Sequence, residues 1–513
     1  MTQAHLTLAD EFEPLLQMLA LGGHEIKLER ARQVYANRDL NLSEIEAIGF
    51  DMDYTLALYR QDALDALSVE KTLERLVQVK RYPPSILAIE PDPDFAIRGL
   101  VIDKEHGNIL KIDSGRRVLK AFHGFKELGH LDRYDYTRES IRIAPARYHL
   151  IDTLFALPEA FLYAALIDHF EERQGGLPVS YLQLFDDIRF CIDLAHRDDS
   201  LKNAITADID AYIHRDDRLA PTLHKFRSAG KKLFLMTNSG WAYTDRVMSH
   251  LLDGLMPEYA SWRQYFDLII TAASKPTFFT GRHPFLTIDE RGTVIGQATD
   301  RLERGAIYQG GNQSAFEALT GWASDRTLYI GDHIYGDILK SKKTSSWLTC
   351  MIIQEMVDEL LHADTVREQL SRVRDLEGEL HRLNEQLVYE NHMLHRLQQV
   401  LNDRARGAQD HAPLGPNVLQ ELQIARQRLI NNTDQMKRRR KQIVRHLVDL
   451  DREIESNFNP YWGLIFKTGN EHSVFASQVN LYADLYTSTV SNFLAYSPMQ
   501  YFRAPRAFMP HEF

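Results

Sequence analysis

Residues 45–55 read Ile45-Glu46-Ala47-Ile48-Gly49-Phe50-Asp51-Met52-Asp53-Tyr54-Thr55. The apolar run stops abruptly at Asp51, the pattern of a short strand buried on both faces of a parallel sheet. Similar runs recur at Leu233 to Met236, Leu268 to Thr271, Leu328 to Ile330 and Trp347 to Ile353, and helix-like segments such as Tyr243 to Leu255 separate several of them. Short buried strands alternating with helices imply an α/β fold with a doubly wound, Rossmann-like parallel-sheet core. Ligands of such a core sit at the carboxyl ends of its strands.

Outward from that stretch the chain changes character several times. Residues 1–40 read as an N-terminal helical segment. The core takes residues 41–60, 215–360 and about 460–513. Residues 61–214 mix short strands with helices, Asp152 to Glu172 among them, and interrupt the α/β series after its first strand. They read as an inserted α+β cap, which over the strand ends would exclude water and add substrate contacts. Residues 361–459 follow another rule: Leu370, Val373, Leu376, Leu380, Leu383, Leu387, Leu394, Leu397 and Leu401 keep mostly three-four spacing, interrupted at Glu390. That is an apolar seam on a long helix. Gly407, Pro413, Gly415 and Pro416 mark a turn, and a second helix from about Leu419 to Ile454 completes an antiparallel helical hairpin. The basic run Lys437 to Lys441 on this arm reads as a solvated face. The aromatic-rich tail from Asn459 is expected to pack back on the body. A long exposed seam is costly for a monomer, so a homo-oligomer is expected unless the hairpin satisfies the seam internally.

At 513 residues the chain exceeds what one hydrophobic core supports, so two or more packed units are expected. Apolar residues make up 44% and the net charge is −11, spread along the chain rather than concentrated in a tail. That argues against a nucleic-acid partner bound by bulk electrostatics. Cys191 and Cys350 are the only cysteines. They form neither a zinc spacing nor a disulfide framework, which fits a reducing compartment. Asp10, Glu11 and Glu13 stand where a signal peptide would need an apolar run, and no stretch of about 18 apolar residues suggests a membrane span. A cytoplasmic protein with no membrane partner is expected.

The chemistry concentrates at the strand ends. Asp51 and Asp53 are two apart, so both carboxylates can point the same way. One can attack phosphorus while the other handles the leaving-group proton. A hard cation nearby would take oxygen ligands from Asp51 and a loop carbonyl. The plain alternative is an acidic turn whose aspartates cap the next helix. Thr237, Asn238 and Ser239 close the strand Leu233 to Met236 with hydroxyls and an amide suited to phosphate oxygens, or simply to capping a helix. Lys275 follows the strand Leu268 to Thr271 and offers a cation. Asp332 ends the strand Leu328 to Ile330-Gly331 and could complete a metal shell. Asp337 could orient Lys275 or a metal-bound water.

The order Asp-x-Asp-x-Thr, strand-Thr, Lys, strand-Gly-Asp-x-x-x-x-Asp resembles the haloacid dehalogenase-like phosphatase superfamily. The resemblance implies Asp51 as nucleophile, Asp53 as general acid and base, and Thr237 and Lys275 on the phosphoryl oxygens. It also implies Mg2+ held by Asp51, the backbone carbonyl of Asp53, and Asp332. A narrower likeness rests on Tyr329 through Lys343, on Thr237-Asn238-Ser239 and Lys275-Pro276, and on tail stretches Phe475 to Val479, Tyr482 to Tyr486 and Met509 to Glu512. These resemble the cytosolic purine 5′-nucleotidases that prefer IMP and GMP. The likeness spans roughly 45–354 and 463–512, and the helical hairpin shares far less of it.

Spacing puts Arg189, Asp193 and His196 on one helix face, with Lys202 a little further on. An intrahelical Arg–Asp pair explains that as well as a site does. The family resemblance implies that Arg189 and Asp193 read the purine edge, His196 lies beside the base, Lys202 reaches the phosphate and Phe155 stacks on the base. Otherwise Phe155 is a core side chain. Ala156 stands where the family usually has Asn, and Arg197 where it has an aromatic. Tyr335, Lys343 and Arg142 loosely match a nucleotide-effector site that some members carry, with Asp152 in place of an amide. The implied function is hydrolysis of purine nucleoside 5′-monophosphates through an aspartyl-phosphate, with phosphotransfer to nucleosides as a side reaction. A phosphatase of the same superfamily acting on another metabolite, or a catalytically silent scaffold, are the competing readings.

Overall fold

The computed structural model describes residues 28–129, 136, 140–339, 346–405, 415–469, 471–506 and 510–512. Seven parallel strands build its main sheet: β1 (Ala47–Phe50), β2 (Lys232–Met236), β3 (Leu268–Thr271), β4 (Ile307–Gly310), β5 (Thr327–Gly331), β6 (Leu348–Ile352) and β7 (Leu485–Thr487). Their spatial order is β7-β6-β5-β1-β2-β3-β4. The chain therefore runs outward from β1 through β4, then returns to β1's other side. The crevice between β1 and β5 is the switch point at which doubly wound sheets bind ligands.

Each parallel strand is short and apolar because helices cover both faces. Ala47, Ile48 and Phe50 in β1 and Leu233 to Met236 in β2 are all buried. Gly49 is required by packing: a β-carbon there would fall 2.1 Å from the ring of Phe234. Antiparallel strands extend both edges. Tyr35–Ala36 pairs with β7, and Phe285–Ile288 pairs with β4 and with Val294–Gln297.

The segment between β1 and β2 holds a second, antiparallel sheet of five strands within 101–150. Beside it α1 (Gln61–Gln78), α2 (Leu157–Gln174), α3 (Tyr181–Arg197) and α4 (Ser200–Ala207) pack on one another, with α2 directly against the sheet. The helix expected from Asp152 begins later. Thr153 caps a 3-10 turn over Leu154–Ala156, and Pro158 then sits in the first turn of α2, where a missing N–H costs nothing. The helix expected over Tyr243 to Leu255 is α5 (Trp241–Leu252), ended by the extended backbone of Asp253 before Gly254. The helix expected before Asn41 falls largely on residues outside those described, and Arg30 to Asn41 form 3-10 turns and short strands.

The arm is α6 (Arg367–Ala405) packed on α7 (Pro416–Glu455). Gly407 and Pro413 of its turn lie outside the described residues. The seam residue Leu387 is buried, as are Thr433, Ile443 and Leu450 on the facing helix, and most other seam leucines are half-buried. The seam is thus covered substantially within the chain. The basic run is partly paired rather than free, since Arg439 donates to Glu379 across the hairpin at 2.7 and 3.0 Å. Among the described residues no helix is long and apolar enough to cross a membrane.

Two glycines test this packing with opposite signs. Gly49→Ala should lower stability by about 1–3 kcal/mol through overpacking against Phe234. Gly378→Ala, in the interior of α6 with only Arg382 near its added carbon, should raise it by about 0.5–1 kcal/mol. Melting temperatures of the two variants check both. A neutral Gly49→Ala would contradict the packing described.

Candidate functional site

Parallel strands all present their carboxyl ends on one side, and the residues just past β1, β2, β3 and β5 meet there. Asp51 extends β1 by one ladder bond, its N–H donating to Ile330 O at 2.9 Å, and Thr237 extends β2 likewise onto Ile270 O. Beyond those residues the chain peels away. Met52 is buried below, so Asp51 and Asp53 face the crevice side of the turn. Gly331 leaves room for Asp337 to fold back under the end of β5, since a β-carbon there would sit 2.5 Å from its Oδ2.

Lys275 is the hub. Its Nζ lies 2.9 Å from Asp51 Oδ1 and 2.7 Å from Asp337 Oδ1, and it donates to Tyr329 Oη at 2.8 Å. Tyr329 in turn donates to Met236 O at 3.0 Å. All three ammonium protons are engaged, which fixes the lysine in a site only 8% exposed. Its backbone is fixed too. Lys275 N donates to Asn238 Oδ1 at 2.6 Å, and Asn238 Nδ2 donates to Lys275 O at 2.9 Å. The Asn238 side chain therefore positions the lysine loop, with its Oδ1 and one of its two Nδ2 protons engaged there.

Asp53 is held separately. Tyr59 Oη donates to its Oδ1 at 2.6 Å, and Ser239 Oγ to its Oδ2 at 2.8 Å. The Ser239 hydroxyl is thus engaged with Asp53, and its N–H donates to Thr237 Oγ1 at 3.0 Å. Tyr243 Oη lies 2.7 Å from Tyr59 Oη, extending the relay outward. Burial raises the Asp53 carboxyl above its ordinary range, and the Tyr59 and Ser239 hydrogen bonds pull it back part of the way.

The charge balance is short of positive charge. Carboxylate oxygens of Asp51, Asp332 and Asp337 can all lie within 4.8 Å of one another, and all three residues are buried. Burial pushes Asp332 up to about 7, with the Asp337 charge adding to it. Burial raises Asp51 well above the usual carboxylate range; Lys275 opposes this, while Asp337, Asp332 and Asp53 add to it. Burial works against the Lys275 charge, but Asp337 and Asp51 outweigh it. One ammonium among three buried carboxylates leaves room for a cation. Asp332 Oδ2 is buried without any hydrogen-bond partner, an atom that a hard divalent ion would satisfy. The other acidic cluster among the described residues, Asp103 with Glu105 and His106, already has Arg147 2.7 Å from Asp103, so its charge is met.

Arg98 was not legible in the sequence. Fully buried, it donates to the Asp332 carbonyl at 2.8 Å and makes two 2.6 Å bonds to the Glu355 carboxylate, clamping the loop after β5. Tyr59, Tyr243, Tyr329 and Glu159 were missed in the same way. Each partners residues distant in the chain, and no local spacing announces it.

The cap brings some of its expected residues together. Phe155 and His196 meet edge-on with ring centroids 5.8 Å apart, and Phe155 packs 4.6 Å from Tyr54 and 6.1 Å from Tyr59. Arg189 is held by a short bond to the buried carboxylate of Glu159, and its Nε lies 3.7 Å from Asp193. Lys202 lies 3.3 Å from Asp199 and lowers the Asp53 carboxyl through its charge. Ala156 is buried, whereas Arg197 is exposed and bonds back to its own helix at Asp193 O. Of the effector candidates, Arg142 is exposed, the Tyr335 side chain and Lys343 lie outside the described residues, and Asp152 faces His333 at 3.4 Å.

The family model described as the 5′ nucleotidase family matches residues 34–513. The rat 5′-nucleotidase domain-containing protein 2 is 30% identical over 493 residues, covering 93% of this chain and 80% of that protein. A 5′-nucleotidase domain-containing protein of Dictyostelium discoideum is 28% identical over 491 residues, covering 94% of this chain and 75% of that one. Among solved structures, a predicted phosphoglycolate phosphatase from Haemophilus somnus matches 60% of this chain and 85% of its own, at 12% identity and a TM-score of 0.26.

If the carboxylate cluster takes a divalent ion, saturating magnesium should raise the melting temperature, since binding at 100 times Kd adds about 2.7 kcal/mol to the folded state. Asp332→Asn should abolish that rise. An equal rise in the variant would place the ion elsewhere.

Proposed function

The chain belongs to the 5′ nucleotidase family and is a phosphoric monoester hydrolase, and on that premise we propose that it hydrolyses purine nucleoside 5′-monophosphates through a phosphoryl ester on Asp51. The observation that carries the reading is Lys275, whose ammonium bridges Asp51 and Asp337 at 2.9 and 2.7 Å beside the unpartnered Asp332 oxygen. It gathers a nucleophile and a phosphate-binding cation in one buried pocket.

Asp51 attacks phosphorus in line, and the bond to the nucleoside 5′-oxygen breaks. Asp53, kept protonatable by burial, gives its proton to that oxygen. It then takes a proton from the water that attacks the acyl phosphate, returning Asp51 and releasing orthophosphate. Lys275 and Thr237 hold the phosphoryl oxygens. Asp51, the Asp53 carbonyl and Asp332 would hold a magnesium ion, which neutralises charge on the transferred group. The same ester could pass its phosphoryl group to a nucleoside hydroxyl.

Arg189, pre-positioned by Glu159, offers donors to O6 of hypoxanthine or guanine, and Asp193 accepts from N1–H. Adenine presents an amino group at that edge and fits worse. Phe155 and His196 supply aromatic faces for the base.

Two measurements test the proposal. Arg189→Ala and Asp193→Ala should each cut kcat/KM for IMP by about 10- to 100-fold while sparing a small aryl phosphate, and Asp51→Asn should abolish both activities. Equal loss on both substrates from the cap variants would exclude the base-reading assignment. Tyr59→Phe removes a bond that favours ionised Asp53, so the Asp53 carboxyl rises further. The alkaline limb of kcat/KM, where the free enzyme loses its acid, should then move to higher pH. A shift to lower pH would contradict Asp53 as the acid.

A further inference from the structure

Beside the catalytic cluster, between α4 of the cap and the start of α5, lies a cavity of about 570 Å³ that the hydrolytic scheme does not use. Three cations line it, each from a different element: Lys202 from α4, Arg246 from α5, and Arg291 from the turn between Phe285–Ile288 and Val294–Gln297. Asn203 and Gln309 add neutral polar groups. Asp199 is the one acid in the lining; it is 62% exposed and lies 3.3 Å from Lys202. Among the described residues the guanidinium groups of Arg246 and Arg291 have no carboxylate within 4.0 Å. Two unpaired guanidinium groups and an ammonium on one concave surface repel one another, and an anion between them would relieve that repulsion.

The cavity also has a fixed relation to the chemistry. Tyr243 lines it, and Tyr243 Oη is 2.7 Å from Tyr59 Oη, which donates to Asp53 at 2.6 Å. One wall of the cavity is therefore joined to Asp53 through the hydroxyls of Tyr243 and Tyr59. We propose that this cavity is an anion subsite that takes a phosphoryl group other than the one transferred, recognised by Arg246 and Arg291. Guanidinium forks suit phosphate oxygens in pairs, and α5 and the β-turn each present one to the cavity. The group can be carried on the leaving nucleoside, an assignment that rests on the nucleotidase reading, or on a separate phosphorylated ligand.

The test uses the full-length protein and the Arg246→Ala/Arg291→Ala double variant, with turnover of a small aryl phosphate as the control for folding and chemistry. In the first arm, KM is compared for a purine nucleoside 5′-monophosphate and the 3′,5′-bisphosphate of the same base. In the second, aryl phosphate hydrolysis is titrated with a nucleoside 3′-monophosphate. A preference for the bisphosphate of about tenfold or more that the double variant loses assigns the group to the substrate. An effect of the 3′-monophosphate that weakens about tenfold in the variant assigns it to a free ligand. Arg246→Lys/Arg291→Lys should restore part of either effect. If neither arm differs between wild type and variant while aryl phosphate turnover is equal, the subsite is refuted. If aryl phosphate is hydrolysed but no nucleotide is, the nucleotidase reading fails, and the second arm alone decides the cavity.

Discussion

One buried ammonium among three buried carboxylates is the constraint on which the site depends. Lys275 cannot shed its charge beside Asp51 and Asp337, and the carboxylates cannot all ionise comfortably with only that one cation. The arrangement is tolerable because every ammonium proton has an acceptor and because the backbone of Lys275 is locked to Asn238. A divalent cation bound among these carboxylates would relieve that repulsion. The fold supplies the geometry: four parallel strands end at one level, and β1 and β5 flank the crevice where strand order reverses.

The cap and core communicate through a short aromatic and polar chain. Tyr59 bonds Asp53, touches Tyr243 on the core helix α5, and packs against Phe155 from the cap. Arg98 and Glu355 do the corresponding work under Asp332, gripping the loop after β5 from beneath.

Much of this was legible in the residues themselves. Asp51, Thr237 and Asp332 could be named because each directly ends a short apolar run, and Asp53, Lys275 and Asp337 because they follow such an end within a few residues. The parallel core followed from the same runs. Strand β4 escaped because Ile307–Gly310 has only two buried residues beside glycines, and β7 because Leu485–Thr487 is three residues long. The tyrosines and Arg98 escaped for another reason: their partners lie 184 to 257 positions away in several cases, and only folding brings them together. Helix α3 illustrates both sides. Its spacing correctly aligned Arg189 with Asp193, yet the stronger partner of Arg189 is Glu159 on α2, which no periodicity within α3 could reveal.

The account stands on Asp51 carrying phosphorus between two half-reactions. Rapid acid quench during turnover of IMP with magnesium, followed by peptide mass mapping, reads this directly. A phosphoryl group on the peptide containing Asp51, absent when Asp51 is Asn, is the predicted result. Steady turnover with that peptide unmodified at every quench time, or a phosphoryl group on a different residue, would contradict it.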